Sequence, residues 1–255
     1  MAPRSVDYLA RLEPRVRRWL HTPDPGPEDG EAADRHFDRW LLRLMAEGEL
    51  LEVGGVKVDR ALCKLRFRCV PGRCSPEVER GALRSCCADL TVYLTPAERG
   101  RLRRHARALA EHLLAREPRL RHLARRDPEF FLDPDKESLS RPGQRCVCSR
   151  IMPDGRIRCH LHELAERLGV DRTDIQPVTC RLFPLVLVDM PRGGVLVTVN
   201  DVSNHRAWGG RHPRHFPCLS DSRLPRVVDS MADTLDWLFG PGFAHAVREA
   251  EAASR

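Results

Sequence analysis

The sequence predicts an α+β protein, a small antiparallel sheet flanked by helices, with a cysteine-lined metal centre. Three observations carry that reading. Short β-prone runs punctuated by glycine and proline (LLEVGGVKVD, ADLTVYL, FPLVLVDM and GVLVTVN) alternate with segments of helical periodicity. Local capping chemistry marks helix ends, above all at Thr95-Pro96-Ala97-Glu98 and at Gly169. The ten cysteines fall into two blocks: Cys63, Cys69, Cys74, Cys86 and Cys87, then Cys146, Cys148, Cys159, Cys180 and Cys218.

A chain of 255 residues, 42% apolar and 31% charged, can bury a sizeable core. Residues 1–62 read as an N-terminal helical and hairpin segment, 63–220 as a cysteine-cluster metal-binding segment, and 221–255 as helices packing on the same domain. The N-terminal MAPRSVDYLARLEPRVRRWL carries charge throughout and lacks the apolar run of a secretory signal. No apolar stretch approaches the length of a membrane span, so the expected setting is a reducing cytoplasm without a membrane partner. There, many cysteines point to metal ligation ahead of disulfides.

The net charge of +7 raises nucleic-acid binding as another reading. Two facts weigh against it. Only three of the 43 basic residues are lysine, which reads as genomic arginine bias, and aromatic residues are only 5%, leaving few rings to stack on bases. Arginine-mediated nucleic-acid binding therefore stands third, behind two metal readings.

Taken in order, residues 5–20 show helical spacing broken by Pro14, and 21–31 form a loop. Residues 32–49 place Phe37, Trp40, Leu41, Leu44 and Met45 on one helical stripe. Gly54-Gly55 turns a hairpin. CKLRFRC (63–69) alternates as a half-buried strand, 70–81 is loop, and ADLTVYL (88–94) is a strand. The capped helix after Thr95 runs to about Arg116, where Pro118 stops it. Residues 117–145 connect the two cysteine blocks. Pro153-Asp154-Gly155 turns a second hairpin that carries Cys146 or Cys148 toward Cys159, and HLHELAERL is a short helix. VTCRLFPLVLVDM pairs as a strand with GVLVTVN, and one or two helices close the chain, broken at Gly240-Pro241-Gly242.

Between cysteines the first block has gaps of five, four, eleven and zero residues, and the second one, ten, twenty and thirty-seven. Neither the paired C-x2-C of zinc ribbons nor the ferredoxin run is present, so spacing indicates a metal without naming it. Adjacent Cys86 and Cys87 suit two sites or one polynuclear cluster better than a single zinc ion, because neighbours in extended chain point to opposite faces. Thiolates favour zinc or iron–sulfur centres. Arg66, Arg68, Arg73, Arg84, Arg145, Arg158 and Arg181 sit beside them in sequence as potential charge partners.

CCADLTVYLTPAE, RIRCHLHELAERLG and PVTCRLFPLVL together resemble the YkgJ-type cysteine-cluster family, a zinc- or iron-chelating domain, over about residues 63–220. The resemblance implies Cys69, Cys74, Cys86, Cys87, Cys146, Cys159, Cys180 and Cys218 as metal ligands. Cys63, Cys148, His160 and His162 are then secondary candidates. The chain departs from the family's compact C-x2-C-x2-C-C, since eleven residues separate Cys74 from Cys86. That family includes a flagellin lysine N-methylase with an iron–sulfur cluster, which implies a redox or protein-modification role. No glycine-rich nucleotide loop accompanies it here, so no catalytic residue is assigned. The resulting expectation is a zinc- or iron-chelating protein, iron–sulfur first, with a non-enzymatic zinc-stapled module as the alternative. Its protein partner and its reaction are not legible in the sequence.

Overall fold

Two hairpins meet at one parallel seam. In the computed structural model the described residues are 30–69, 92–142, 145–154, 157–190, 194–205, 212–213, 216–220 and 222–254. They divide into two units, the first from residues up to Cys69 and from Pro184 onward, the second from Val70 to Phe183. The segment boundaries expected at 62/63 and 220/221 are not the boundaries of these units. The expected helix over 5–20, the loop over 70–81, and residues 88–91 of the expected strand lie outside the described residues, and the rest of that strand, 92–94, carries only an isolated bridge from Tyr93 to Ser138.

In the first unit, β1 (Leu50–Val53) and β2 (Val56–Asp59) pair antiparallel through Gly54-Gly55. Both glycines have positive φ, 59° and 80°, the conformation a tight two-residue hairpin requires. The second unit supplies β3 (Ser149–Ile151) and β4 (Ile157–Cys159), a two-stranded hairpin of its own. Back in the first unit, β5 (Leu185–Asp189) and β6 (Val195–Val199) form another antiparallel pair. The four-stranded sheet runs β1-β2-β6-β5. Its central pairing, β2 with β6, is parallel, so the sheet is mixed rather than wholly antiparallel. β6 is buried along its whole length, VLVTV, as a strand with neighbours on both edges and covered faces should be.

The helix Gly30–Ala46 lays Trp40, Leu41 and Leu44 against Val188 and Leu196, which are cross-strand partners. Met45, expected on that stripe, is 54% exposed. The C-terminal helices Val227–Ser230, Ala232–Phe239 and Phe243–Ala253 bury Val228, Met231, Leu235 and Leu238, as their periodicity predicts. Arg60 donates to Glu251 at 2.8 Å, an ion pair largely shielded from water that fastens the last helix, which packs on β1.

CKLRFRC departs from the expected strand. Its first residues belong to a helical turn, Ala61–Lys64, and only Arg66 makes a bridge, to Arg226. The cause sits upstream: Asp59 accepts the Ala61 amide at 2.8 Å and the Thr198 hydroxyl at 2.6 Å, so its carboxylate starts the turn. VTCRL is likewise helical, Val178–Leu182, where a strand was expected.

The second unit is built on the helices Pro96–Arg104 and Ala106–Arg116, separated by a break at His105, and the chain turns at Pro118 as expected. Their core takes in Leu102, Leu109, Leu113, Leu120, Phe130, Phe131 and Leu139. The capping box is complete. Thr95 Oγ1 accepts the Glu98 amide at 3.2 Å, and Glu98 Oε2 accepts the Thr95 amide at 2.7 Å. The same carboxylate reaches further: Glu98 Oε1 accepts the Val178 amide at 2.6 Å. One buried side chain thus starts two helices, and the second of them carries Cys180.

Thr95→Ala should cost about 1 kcal/mol, the usual worth of an N-cap. Glu98→Ala should cost about 3 kcal/mol, because it also strands the partly buried Thr95 amide and the buried Val178 amide. Urea unfolding measures both, and equal losses would contradict the double role of Glu98.

Candidate metal centre

Four cysteines of the second block belong to the second unit. Cys146 and Cys148 are buried, and Cys159 and Cys180 are partly buried against the same hydrophobic core. A tight turn holds the first two in place. The Ser149 amide and hydroxyl both donate to the Cys146 carbonyl, at 2.9 and 2.6 Å, and the Val147 amide donates to Ser140 O. The β3–β4 register then sets Ser149 opposite Cys159, and the His160 amide donates to Cys148 O at 2.8 Å. So the hairpin does bring Cys148 beside Cys159, as its turn residues predict. Cys180 arrives on the short helix started by Glu98.

The Cys148 thiol is engaged with Cys146, and its neighbours govern its chemistry. The hydrogen bond with Cys146, burial, and the charges Cys146, Cys159 and Cys180 would carry as thiolates all push its ionisation well above the ordinary thiol range. Among the described residues no three of the cysteine sulfurs lie within 4.8 Å of one another, so the expected cysteine-lined centre is not closed in the structure. All seven described cysteines are thiols rather than disulfides.

A second group lies on two helices of the same unit. His112, on Ala106–Arg116, and His160 and Glu163, on His160–Leu168, bring their ligand atoms within 4.8 Å of one another. His160 and Glu163 are one helical turn apart and share a face. His112 Nε2 is 3.4 Å, and His160 Nδ1 3.8 Å, from Glu163 Oε2. The two rings meet edge to face, 5.2 Å between centroids. Both imidazoles are sealed from solvent, and all four ring nitrogens lack a hydrogen-bond partner among the described residues. Arg116 Nε also stands 3.4 Å from Glu163 Oε2.

Burial holds both rings neutral. It is the first cause for His160, whose pKa falls to about 3, helped by the positive field of Arg150, Arg116 and Arg145. His112 is lowered by burial and then by Arg116 and Arg167, against the raising effect of Glu163. His162 is lowered by burial too, but it faces Gln176 and is not part of this group.

The sequence reading missed His112 and Glu163 and kept His160 only as a secondary candidate. Cys148, secondary under the resemblance, is the thiol on which Cys146, Cys159 and Cys180 act. Of the expected ligands, Cys69 and Cys218 belong to the first unit, where the Arg68 amide donates to Cys218 O at 3.3 Å. Cys63 is buried there. Cys74, Cys86 and Cys87 lie outside the described residues. Among the described arginines flanking cysteines, Arg66, Arg68 and Arg158 are exposed, whereas Arg145, which donates to Ser149 O at 3.2 Å, and Arg181, next to Cys180, are buried. Arg145 and Arg181 are the two of these five placed to offset thiolate charge.

The depressed His160 pKa fixes a pH dependence of stability. The ring is neutral when folded and binds a proton more readily when unfolded, so low pH favours unfolding. This contribution is whole above the unfolded value near 6.5 and is lost progressively as pH falls toward 3. From about pH 7 to about pH 5, His160 alone should cost about 2 kcal/mol, and His160→Gln should remove that slope. Urea midpoints measured in EDTA across this range test it; an unchanged slope in the variant would contradict it.

No protein-family model, curated protein or solved structure matches the chain. The likeness to the cysteine-cluster family rests on the motifs alone.

Proposed function

We propose that the chain is a metal-binding protein and that Cys146, Cys148, Cys159 and Cys180 hold a thiolate-seeking metal, zinc or an iron–sulfur cluster, within the second unit. The observation that supports this reading is that Cys146, Cys148, Cys159 and Cys180 all pack into one hydrophobic core, and that the other three act on the Cys148 thiol. Sulfur ligands suit zinc and iron far better than magnesium or calcium.

The donor set fits such a metal on chemical grounds. Coordinated thiols lose their protons, and a cation would offset the hydrogen bond with Cys146, the burial and the neighbouring charges that keep Cys148 protonated. Buried Arg145 would share in balancing the charge of the loaded site. With iron and sulfide, the group would supply one-electron chemistry. With zinc it would staple the hairpin to the helix at Val178–Leu182. The reading assigns no substrate and no reaction.

Metal and acid-labile sulfide analysis of anaerobically purified protein tests this directly. Iron with sulfide, or stoichiometric zinc, is expected. Cys148→Ser should lose that metal and lower the melting temperature by at least about 5 °C. Cys63→Ser, in the first unit, should keep it. Thiol-bound metal undiminished in Cys148→Ser, or a native chain without metal and indifferent to chelator, would overturn the reading.

A further inference from the structure

We propose that His112, His160 and Glu163 form a separate binding site for one borderline divalent cation of the zinc, cobalt or ferrous class. Three observations support it, and none depends on the cysteines. The first is spacing. Tetrahedral zinc with ligands at about 2.0–2.1 Å sets neighbouring ligand atoms about 3.4 Å apart. His112 Nε2 and His160 Nδ1 lie 3.4 and 3.8 Å from Glu163 Oε2, and no pair in the group exceeds 4.8 Å. Small side-chain rotations close the remainder.

The second observation is the state of the rings. Both side chains are wholly buried, yet none of their four nitrogens has a hydrogen-bond partner among the described residues. The contacts with Glu163 exceed ordinary hydrogen-bond length. A buried polar atom left without a partner is destabilising. Histidines kept only for packing would be served better by leucine or phenylalanine. A cation bound to one nitrogen of each ring answers half of that cost.

The third observation is charge. Two neutral imidazoles and one carboxylate carry a single negative charge, enough to favour a divalent ion without the oxygen-rich cage of calcium or magnesium. Three protein ligands leave a fourth position for water or a small ligand, as open zinc sites do. Arg116 is the competitor, since its guanidinium contacts the same Glu163 oxygen and is about one-third exposed. It holds the carboxylate when no cation is bound and is free to turn toward solvent when one is. The site therefore predicts effects of opposite sign from two neighbouring residues.

Cobalt(II) titration of the full chain, stripped with chelator and kept reduced, tests the proposal. The expected spectrum contains a ligand-field component without thiolate-to-cobalt charge transfer. Glu163→Gln and His112→Gln should weaken that component at least roughly tenfold. Arg116→Gln should tighten it a few-fold, and Cys148→Ser should leave it in place. Identical titrations of wild type and Glu163→Gln would overturn the site. Loss of the component in a folded Cys148→Ser would also overturn it, by showing one mixed site with the thiols. Should His112→Gln fail to fold by circular dichroism, Glu163→Gln decides, because its side chain is partly exposed. A thiolate band missing while the ligand-field component persists would sink the cysteine reading and leave this one standing.

Discussion

Polar atoms sealed in an apolar core have to be satisfied, and the second unit is arranged around that constraint. Leu109, Leu113, Leu161 and Leu164 exclude water from the helices that carry His112 and His160. Cys146 and Cys148 sit in the same core. Folding alone explains a buried thiol, which packs as a small apolar group. It does not explain two neutral imidazoles whose nitrogens meet no donor or acceptor among the described residues. Those nitrogens are what water-excluding packing did not require.

Precision in that core comes from backbone hydrogen bonds made by a few side chains. Glu98 closes its own capping box and also starts the turn bearing Cys180. Ser149 folds back on the Cys146 carbonyl and fixes the turn that presents Cys148. The β3–β4 register and the His160 amide then tie Cys148 to the start of the next helix. The first unit differs in kind: its hairpins and C-terminal helices bury aliphatic side chains around a mixed sheet, with Asp59, Thr198 and Asn204 as a satisfied polar network.

Features set by neighbouring residues were legible in the sequence. The Gly54-Gly55 turn, the Thr95–Glu98 box, the Gly169 stop and the β5–β6 pair all follow from short-range chemistry. Features set at a distance were not. CKLRFRC alternates like a strand, but Asp59 and its bond to Thr198 begin a helical turn first. VTCRL is β-prone, and its helix depends on Glu98, far away in the chain. The parallel β2–β6 seam joins strands with most of the chain between them. At the site, cysteine bunching announced the thiols, whereas His112 and Glu163 lie on different helices with no motif linking them. The His160/Glu163 spacing of one helical turn was the only local signal.

The account holds that the second unit's buried sulfur is there for a metal. Anomalous diffraction at the zinc and iron edges, from crystals grown without oxygen, measures that most directly. It predicts an anomalous peak about 2.3 Å from Cys148 Sγ. A second unit with no peak, and the sulfurs of Cys146, Cys148, Cys159 and Cys180 in plain van der Waals contact, would contradict it.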